Sequence, residues 1–395
     1  MTVLEFIDQN FEKSILPPHV DEGGRLGLPF PYTVPSPGDI FDCMFYWDTH
    51  FTNVGLIPSG RLQQAIYNTD NIRHVIDRFG YMLNGTKRHF LEKSQPPFYY
   101  RMVADIFAVT GDLTWLASHY DTIAKEYEYW MTNRLAPNGL NYYGNLKVAE
   151  SEEADGLYEY WKTRVPGLDK VEKTMAVNTG STLGESGWDC CYRFELCGPH
   201  YNPVDLNTLL YGLETTMADF SERLGKGEDN LWKSRAESRK EKMDRWLFCK
   251  DKGFYMDWNF VEEHHSPMVS VASLYPLYLG LSHDPDAIMT VLENELLLAH
   301  GVTCTTDSEY HMQWEYPNIW APLQYVAYMA CRNAGRDDLA EEISRRYKAL
   351  LEENFAKTGK LWEKYDGNTA QVVNAEYEAP PMLGWTAGVY LAFLT

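Results

Sequence analysis

No stretch of the 395 residues approaches the roughly 18 uninterrupted apolar residues that a membrane-spanning helix needs, so no membrane association is expected. Cysteine is sparse and irregular. The seven at Cys43, Cys190, Cys191, Cys197, Cys249, Cys304 and Cys331 are odd in number and include no Cys-x-x-Cys pair. That excludes a disulfide scaffold and points to free thiols in a reducing compartment. The first ten residues carry Glu5 and Asp8 where a secretory leader would carry basic residues and an apolar run, and a cytoplasmic protein is expected. Positive charge is in deficit: 35 Lys and Arg stand against 56 Asp and Glu, a net charge of −21 that repels phosphate backbones and excludes nucleic acid as a partner. No glycine fingerprint for a dinucleotide follows any strand pattern, and Gly225-Lys226-Gly227 lacks the spacing of a phosphate-binding loop. His264-His265, after Glu262-Glu263, lacks the His-x-x-x-His spacing of a helical metal site and reads as a solvated loop. Neither a metal nor a cofactor is expected.

What is abundant is aromatic. Twelve Trp and 27 Tyr exceed the ordinary share, and rings in that number either fill a large core or line a carbohydrate-type cleft. Helical periodicity dominates the chain, with apolar stripes over 61–82, 97–109, 113–135, 204–224, 229–248, 285–300, 319–334, 336–355 and 383–394. Extended candidates are few and short, at 253–258 and 359–365. The acidic run 150–159 reads as a solvated insertion, and no low-complexity linker divides the sequence, so one domain over 1–395 is expected. Alternation of apolar and charged helices without a fixed period suits concentric layers of helical hairpins. Nothing sets an oligomeric state.

Two loops place a carboxylate beside a tryptophan: Glu185-Ser186-Gly187-Trp188-Asp189 and Trp362-Glu363-Lys364-Tyr365. Opposed carboxyls are the usual equipment of a glycoside hydrolase, and an apolar neighbour such as Trp188 can raise the pKa of a general acid. Three further clusters share this character: Tyr46-Trp47-Asp48, Asn84 with Lys93-Ser94-Gln95-Pro96-Pro97, and Gln313-Trp314-Glu315. Each alone could pack loop aromatics into a core. Together, five polar and aromatic clusters at helix entrances would be costly to bury without a ligand.

In this order the segments resemble the motifs of the trehalase family of glycoside hydrolases. Pro37-Gly38-Asp39-Ile40-Phe41 and Tyr46-Trp47-Asp48 approximate its first signature, and Gln313 to Pro322 its second. Leu83-Asn84-Gly85, Leu91 to Pro97, Glu185 to Asp189 with Arg193, Pro203-Val204-Asp205-Leu206-Asn207, Glu363-Lys364-Tyr365 and Gly384 to Val389 match further elements over nearly the whole chain. The resemblance implies an all-α (α/α)6 barrel with short β segments in loops. It also implies an inverting, exo-acting α-glycosidase that takes a small glycoside and water, with Asp189 as general acid and Glu363 as general base. An inverting pair stands about 6.5–9.5 Å apart to admit that water. Phe41, Trp47, Asp48, Asn84, Lys93, Gln95, Trp188, Arg193, Gln313, Trp314, Glu376 and Trp385 are the implied sugar contacts.

Departures from the family pattern include Glu315 and Ile319 in the second signature and a segment 367–381 with a single glycine where the family has a glycine-rich cover. The arginine of the first signature is absent, the arginine before Ser-Gln-Pro-Pro is Lys93, and no Pro-Arg-Pro-Glu-Ser segment occurs around 140–167. Lysine lacks the planar fork of arginine, and set against the family pattern these changes imply a rebuilt leaving-group side and cover. The alternatives are therefore an α-glucosyl disaccharide of the trehalose type, a sugar joined to a non-sugar aglycone such as glycerol or glycerate, and a catalytically silent sugar-binding protein on the same scaffold.

Overall fold

The computed structural model describes residues 1–36, 41–281, 284–374, 378–381 and 383–395. Six helical segments form a closed inner ring: Tyr46–Leu56, Tyr99–Thr110, Val204–Leu224, Val271–Leu274 running into Tyr275–Tyr278, Ala321–Asn333 and Trp385–Ala392. Each packs against the next, and the last returns to the first. Outer helices cover the joints. Leu62–Phe79 bridges the first two inner helices, Leu113–Asn133 the second and third, while Asp229–Trp246 and Asp337–Thr358 back the third and fifth. This is the (α/α)6 barrel that the trehalase resemblance implies, with the concentric layers that the alternation of helix types suggests.

The two rings differ in sequence because they differ in solvent. All eleven residues of Tyr46–Leu56 are buried. Asp229–Trp246 buries only Trp232, Ala236, Arg239 and Met243, one stripe at spacings of four and three, and leaves its charges in water. The all-round burial of Tyr46–Leu56 explains why its aromatic opening reads as a loop from sequence: a helix without a polar face shows no period. Val3–Asn10, Ala154–Lys162 and Lys173–Ser186 are likewise helices where none was expected. In the first, Thr2 and Glu5 form a reciprocal capping box. The second falls across the acidic run that reads as a solvated insertion.

The helix expected over 285–300 ends early. Asp286–Val291 passes through a wider turn at Leu292–Leu296 into Leu297–Leu298, which pairs with Gly301–Val302. Tertiary bonds override propensity there, since Arg346 donates to the Leu298 carbonyl at 2.5 Å. His264–His265 is a short strand against Trp258–Asn259 and not a loop.

Candidate active site

The inner helices run parallel, and the segments entering their N-termini converge at one end of the barrel. There a cavity of about 430 Å³ is lined by Phe41, Trp47, Asp48, Asn84, Lys93, Gln95, Asp189, Gln313, Trp314, Glu363 and Trp385. Trp47 and Asp48 lie in the first turn of Tyr46–Leu56, and Trp385 opens the last helix. Asp189 follows the end of Lys173–Ser186, and Glu363 immediately precedes the strand Lys364–Asp366. A larger groove of about 540 Å³, nearer the other end of the ring, is lined by Phe107, Thr215, Asp219 and Arg223 among others, and Asp219 is its single carboxyl.

Two of the expected contacts are not on this wall. Trp188 is fully buried behind Trp314, with ring centres 5.8 Å apart. Arg193, expected at a sugar hydroxyl, is also fully buried. Its guanidinium donates to both oxygens of Asp205 at 2.9 and 2.7 Å and to both of Asp257 at 2.6 and 2.8 Å. It lies 4.8 Å from the ring of Trp188, so it supports the residue next to Asp189 instead of reaching the cavity. Glu376 lies outside the described residues, as do positions 37–40 of the first motif.

Backbone geometry fixes the Asp189 segment. Gly187 has φ +76°, and a Cβ there would stand 2.8 Å from the Trp47 ring, so only glycine lets the chain turn against that indole. Two residues earlier, Glu185 is buried and gathers four segments. It takes two hydrogen bonds from Arg134 at 2.7 and 2.8 Å and accepts from the amides of Ser94 at 2.9 Å and Gly144 at 2.6 Å. Burial alone would raise its pKa, but Arg134 and the two amides outweigh burial and hold it below the usual value. Glu315 joins the other side, accepting from the amides of Met312 and Tyr192.

Elsewhere on the cavity lining, the Lys364 ammonium contacts Glu363 at 3.1 Å and the side-chain oxygen of Gln313 at 2.8 Å. Lys364 is itself buried, so its ammonium ties the Glu363 and Gln313 side chains together. In sequence Lys364 belongs to the Glu363-Lys364-Tyr365 motif but has no expected place among the sugar contacts. The signal was there: a lysine beside the candidate base, in a strand paired with Asn318–Trp320. Gln95 accepts from the Trp47 amide at 3.1 Å, and Asn84 donates to the Gly184 carbonyl at 2.9 Å, so both polar walls are fixed before any ligand arrives. The floor is tryptophan. Trp314 stacks on Trp320 at 3.9 Å, with Trp385 edge-on to both. The Trp385 indole N–H has no hydrogen-bond partner among the described residues.

Asp48 is pushed up to about 8, first by burial and then by the nearby Glu363 and Asp189 carboxylates, so at neutral pH it carries a proton that it can donate. Glu126, buried beneath Tyr46 and hydrogen-bonded to its hydroxyl, is also pushed up to about 8 by burial. Both carboxyls bind a proton in the folded state across a range where the unfolded chain has released it. Stability from these two groups is therefore present at about pH 4 and is lost as pH rises through about 8. The variant Asp48→Asn/Glu126→Gln is expected to flatten that decline, read as the urea midpoint at pH 5.5 and pH 8. An unchanged slope would show that neither carboxyl carries it.

A closed barrel of helical hairpins, with the carboxyls of Asp48, Asp189 and Glu363 lining an aromatic-floored cavity, defines a class: the chain is a glycoside hydrolase. The trehalase family model matches residues 12–395, and the chain belongs to the trehalase family. The periplasmic trehalase of Xanthomonas oryzae pv. oryzae is 34% identical over 396 residues, covering 93% of this chain and 68% of that protein. The periplasmic trehalase of Pseudomonas aeruginosa is 34% identical over 398 residues, covering 93% and 71%. In architecture the chain is similar to the neutral trehalase of Saccharomyces cerevisiae, with TM-score 0.76 and 24% identity over 92% of this chain and 73% of that one. It is also similar to the mannosylglycerate hydrolase of Thermus thermophilus, with TM-score 0.67 and 15% identity over 99% of both.

These relatives overturn the cytoplasmic expectation, since they are named as periplasmic enzymes. The cysteines misled for a physical reason. Six are buried and Cys197 is half-buried, and burial pushes the thiols of Cys43 and Cys331 up to about 12. Thiols held this far from ionisation are poor nucleophiles, so their being unpaired does not report a compartment.

Proposed function

We propose that the chain hydrolyses a trehalose-type α-glucoside by inversion, as one catalytic unit over 1–395, with Asp189 as general acid and Glu363 as general base. The observation that carries this reading is that Asp189 and Glu363, brought from distant segments, line one cavity among Trp47, Trp314 and Trp385. Asp189 protonates the leaving oxygen as the anomeric C–O bond breaks. Glu363, held against the Lys364 ammonium, takes a proton from the water that attacks the opposite face. Protonated Asp48, Asn84 and Gln95 supply hydroxyl contacts for the glucose being cleaved, and the tryptophans exclude competing water.

Inversion has a direct signature. Early in trehalose hydrolysis, proton NMR should show α- and β-glucose released in equal amounts, since only one of the two rings is attacked. Release of α-glucose alone would mean retention and would reject these roles.

A further inference from the structure

Asp189 stands in a turn that an ordinary chain avoids. Gly187 before it has φ +76°, which glycine adopts freely, but Cys190 after it has φ +58° and is not glycine. Cys190 is fully buried, and a residue with a side chain stays in the left-handed region only where its surroundings hold it there. A change of φ at Cys190 would swing Asp189 relative to the residues that follow. Whatever holds this angle therefore also sets the acid.

Three contacts tie the turn to the segment 310–315, and they are unequal. Tyr192 stacks on Tyr310 with ring centres 3.8 Å apart, but Tyr310 is 41% exposed. The Trp314 amide donates to the Cys190 carbonyl at 3.4 Å, longer than the usual range of about 2.7–3.2 Å. The third contact is the Tyr192 amide donating to the carboxyl of Glu315, a fully buried group where water does not compete. The other Glu315 oxygen accepts from the Met312 amide at 3.0 Å and from the Ser308 hydroxyl at 3.5 Å.

The wall that Glu315 belongs to is itself fixed. Asn318 donates to the Met312 and Gln313 carbonyls at 3.0 and 3.2 Å, and the Trp320 indole donates to the Gln313 carbonyl at 3.1 Å. Gln313 and Trp314 line the cavity with Asp189, whereas Glu315 is not among the lining residues. One carboxyl thus transfers the position of a fixed wall to the turn that carries the acid. Arg193, one residue beyond Tyr192, anchors the chain to Asp205 and Asp257, a support that carries neither Gln313 nor Trp314.

We propose that Glu315 is a positioning residue for the general acid: through the Tyr192 amide it holds the left-handed turn at Cys190 and so sets the reach of Asp189 to the leaving oxygen, without touching substrate. The inference rests on the role given above to Asp189. It separates two halves of the reaction. Cleavage of trehalose needs a proton delivered to a poor leaving group, while α-glucosyl fluoride, whose leaving group needs little protonation, depends on the base and the sugar pocket alone.

The test compares kcat and KM for trehalose and α-glucosyl fluoride in the full chain and in Glu315→Gln, Glu315→Asp and Asp189→Asn. The fluoride rate normalises for the folded fraction of each variant. Glu315→Gln keeps the size of the side chain but turns one acceptor into a donor, so one of the two backbone amides loses its partner. It is expected to lower the trehalose-to-fluoride ratio of kcat/KM about 10- to 100-fold, with most of the loss in kcat, as a small misplacement of a catalytic group does. Glu315→Asp keeps both acceptor oxygens on a shorter arm and should fall less, by about 5- to 20-fold. A ratio within about twofold of wild type in whichever of the two folds overturns the proposal. Equal falls for trehalose and the fluoride overturn it as well, because they report damage to the wall of Gln313 and Trp314 and not to the acid. If Glu315→Gln leaves the ratio unchanged while Asp189→Asn lowers it, the acid stands and the positioning role falls alone. If Asp189→Asn leaves the ratio unchanged, both fall together.

Discussion

Asp189→Asn and Glu363→Gln are each expected to lower kcat for an α-glucoside by about 10²- to 10⁴-fold, measured as glucose released under saturating substrate. Both replacements keep size and hydrogen-bonding reach and remove only the titrating oxygen, so KM should change far less than kcat. The two variants should then part company on α-glucosyl fluoride, whose leaving group needs little protonation. Asp189→Asn should recover much of its deficit there, whereas Glu363→Gln, still lacking a base for water, should not. Near wild-type turnover of trehalose by either variant would remove that residue from the mechanism.

The largest loss of stability is expected at Arg193. Arg193→Met leaves the buried carboxyls of Asp205 and Asp257 without their shared cation. Breaking one side of such a buried cluster costs about 3–5 kcal/mol, read from urea unfolding. Asp257 is already raised by burial and held in check by Arg193, so removing the guanidinium forces it to take up a proton or unfold the segment. Replacing all three together, as Arg193→Met/Asp205→Asn/Asp257→Asn, should recover part of the loss because no buried charge is left unpaired. A cost below about 1 kcal/mol for the single variant would show that the cluster is not a support.

That arginine also marks the limit of what the sequence discloses. Its place after Trp188-Asp189 ties it to the motif, but one-dimensional spacing does not tell which way a side chain points. Here Asp205 and Asp257, one of them from a segment with no motif, turn it inward. The all-α character was legible because helices wet on one face, such as Asp229–Trp246, print their geometry as a period, while the closed barrel was legible only through the ordered motifs. Tyr46–Leu56, buried all round, leaves no such record, although it carries Trp47 and Asp48. Tyr160 and Arg164, which also line the cavity, were hidden differently: the acidic residues around them suggest a solvated loop, and only the packing of Trp161 on Gly180 brings that helix to the cavity. Lys364 required the pairing of its strand with Asn318–Trp320 before its two partners came within reach.

Glu185 gives the site its mechanical character. One carboxylate joins the end of Leu113–Asn133, the amide of Ser94, the amide of Gly144 and the helix that carries the chain toward Asp189. No two of these segments can separate without exposing or stranding that charge, so they behave as a single rigid frame with no partly assembled form. The rim on which Lys93, Gln95 and Asp189 stand is therefore set during folding, and substrate meets a socket whose ordering cost has already been met.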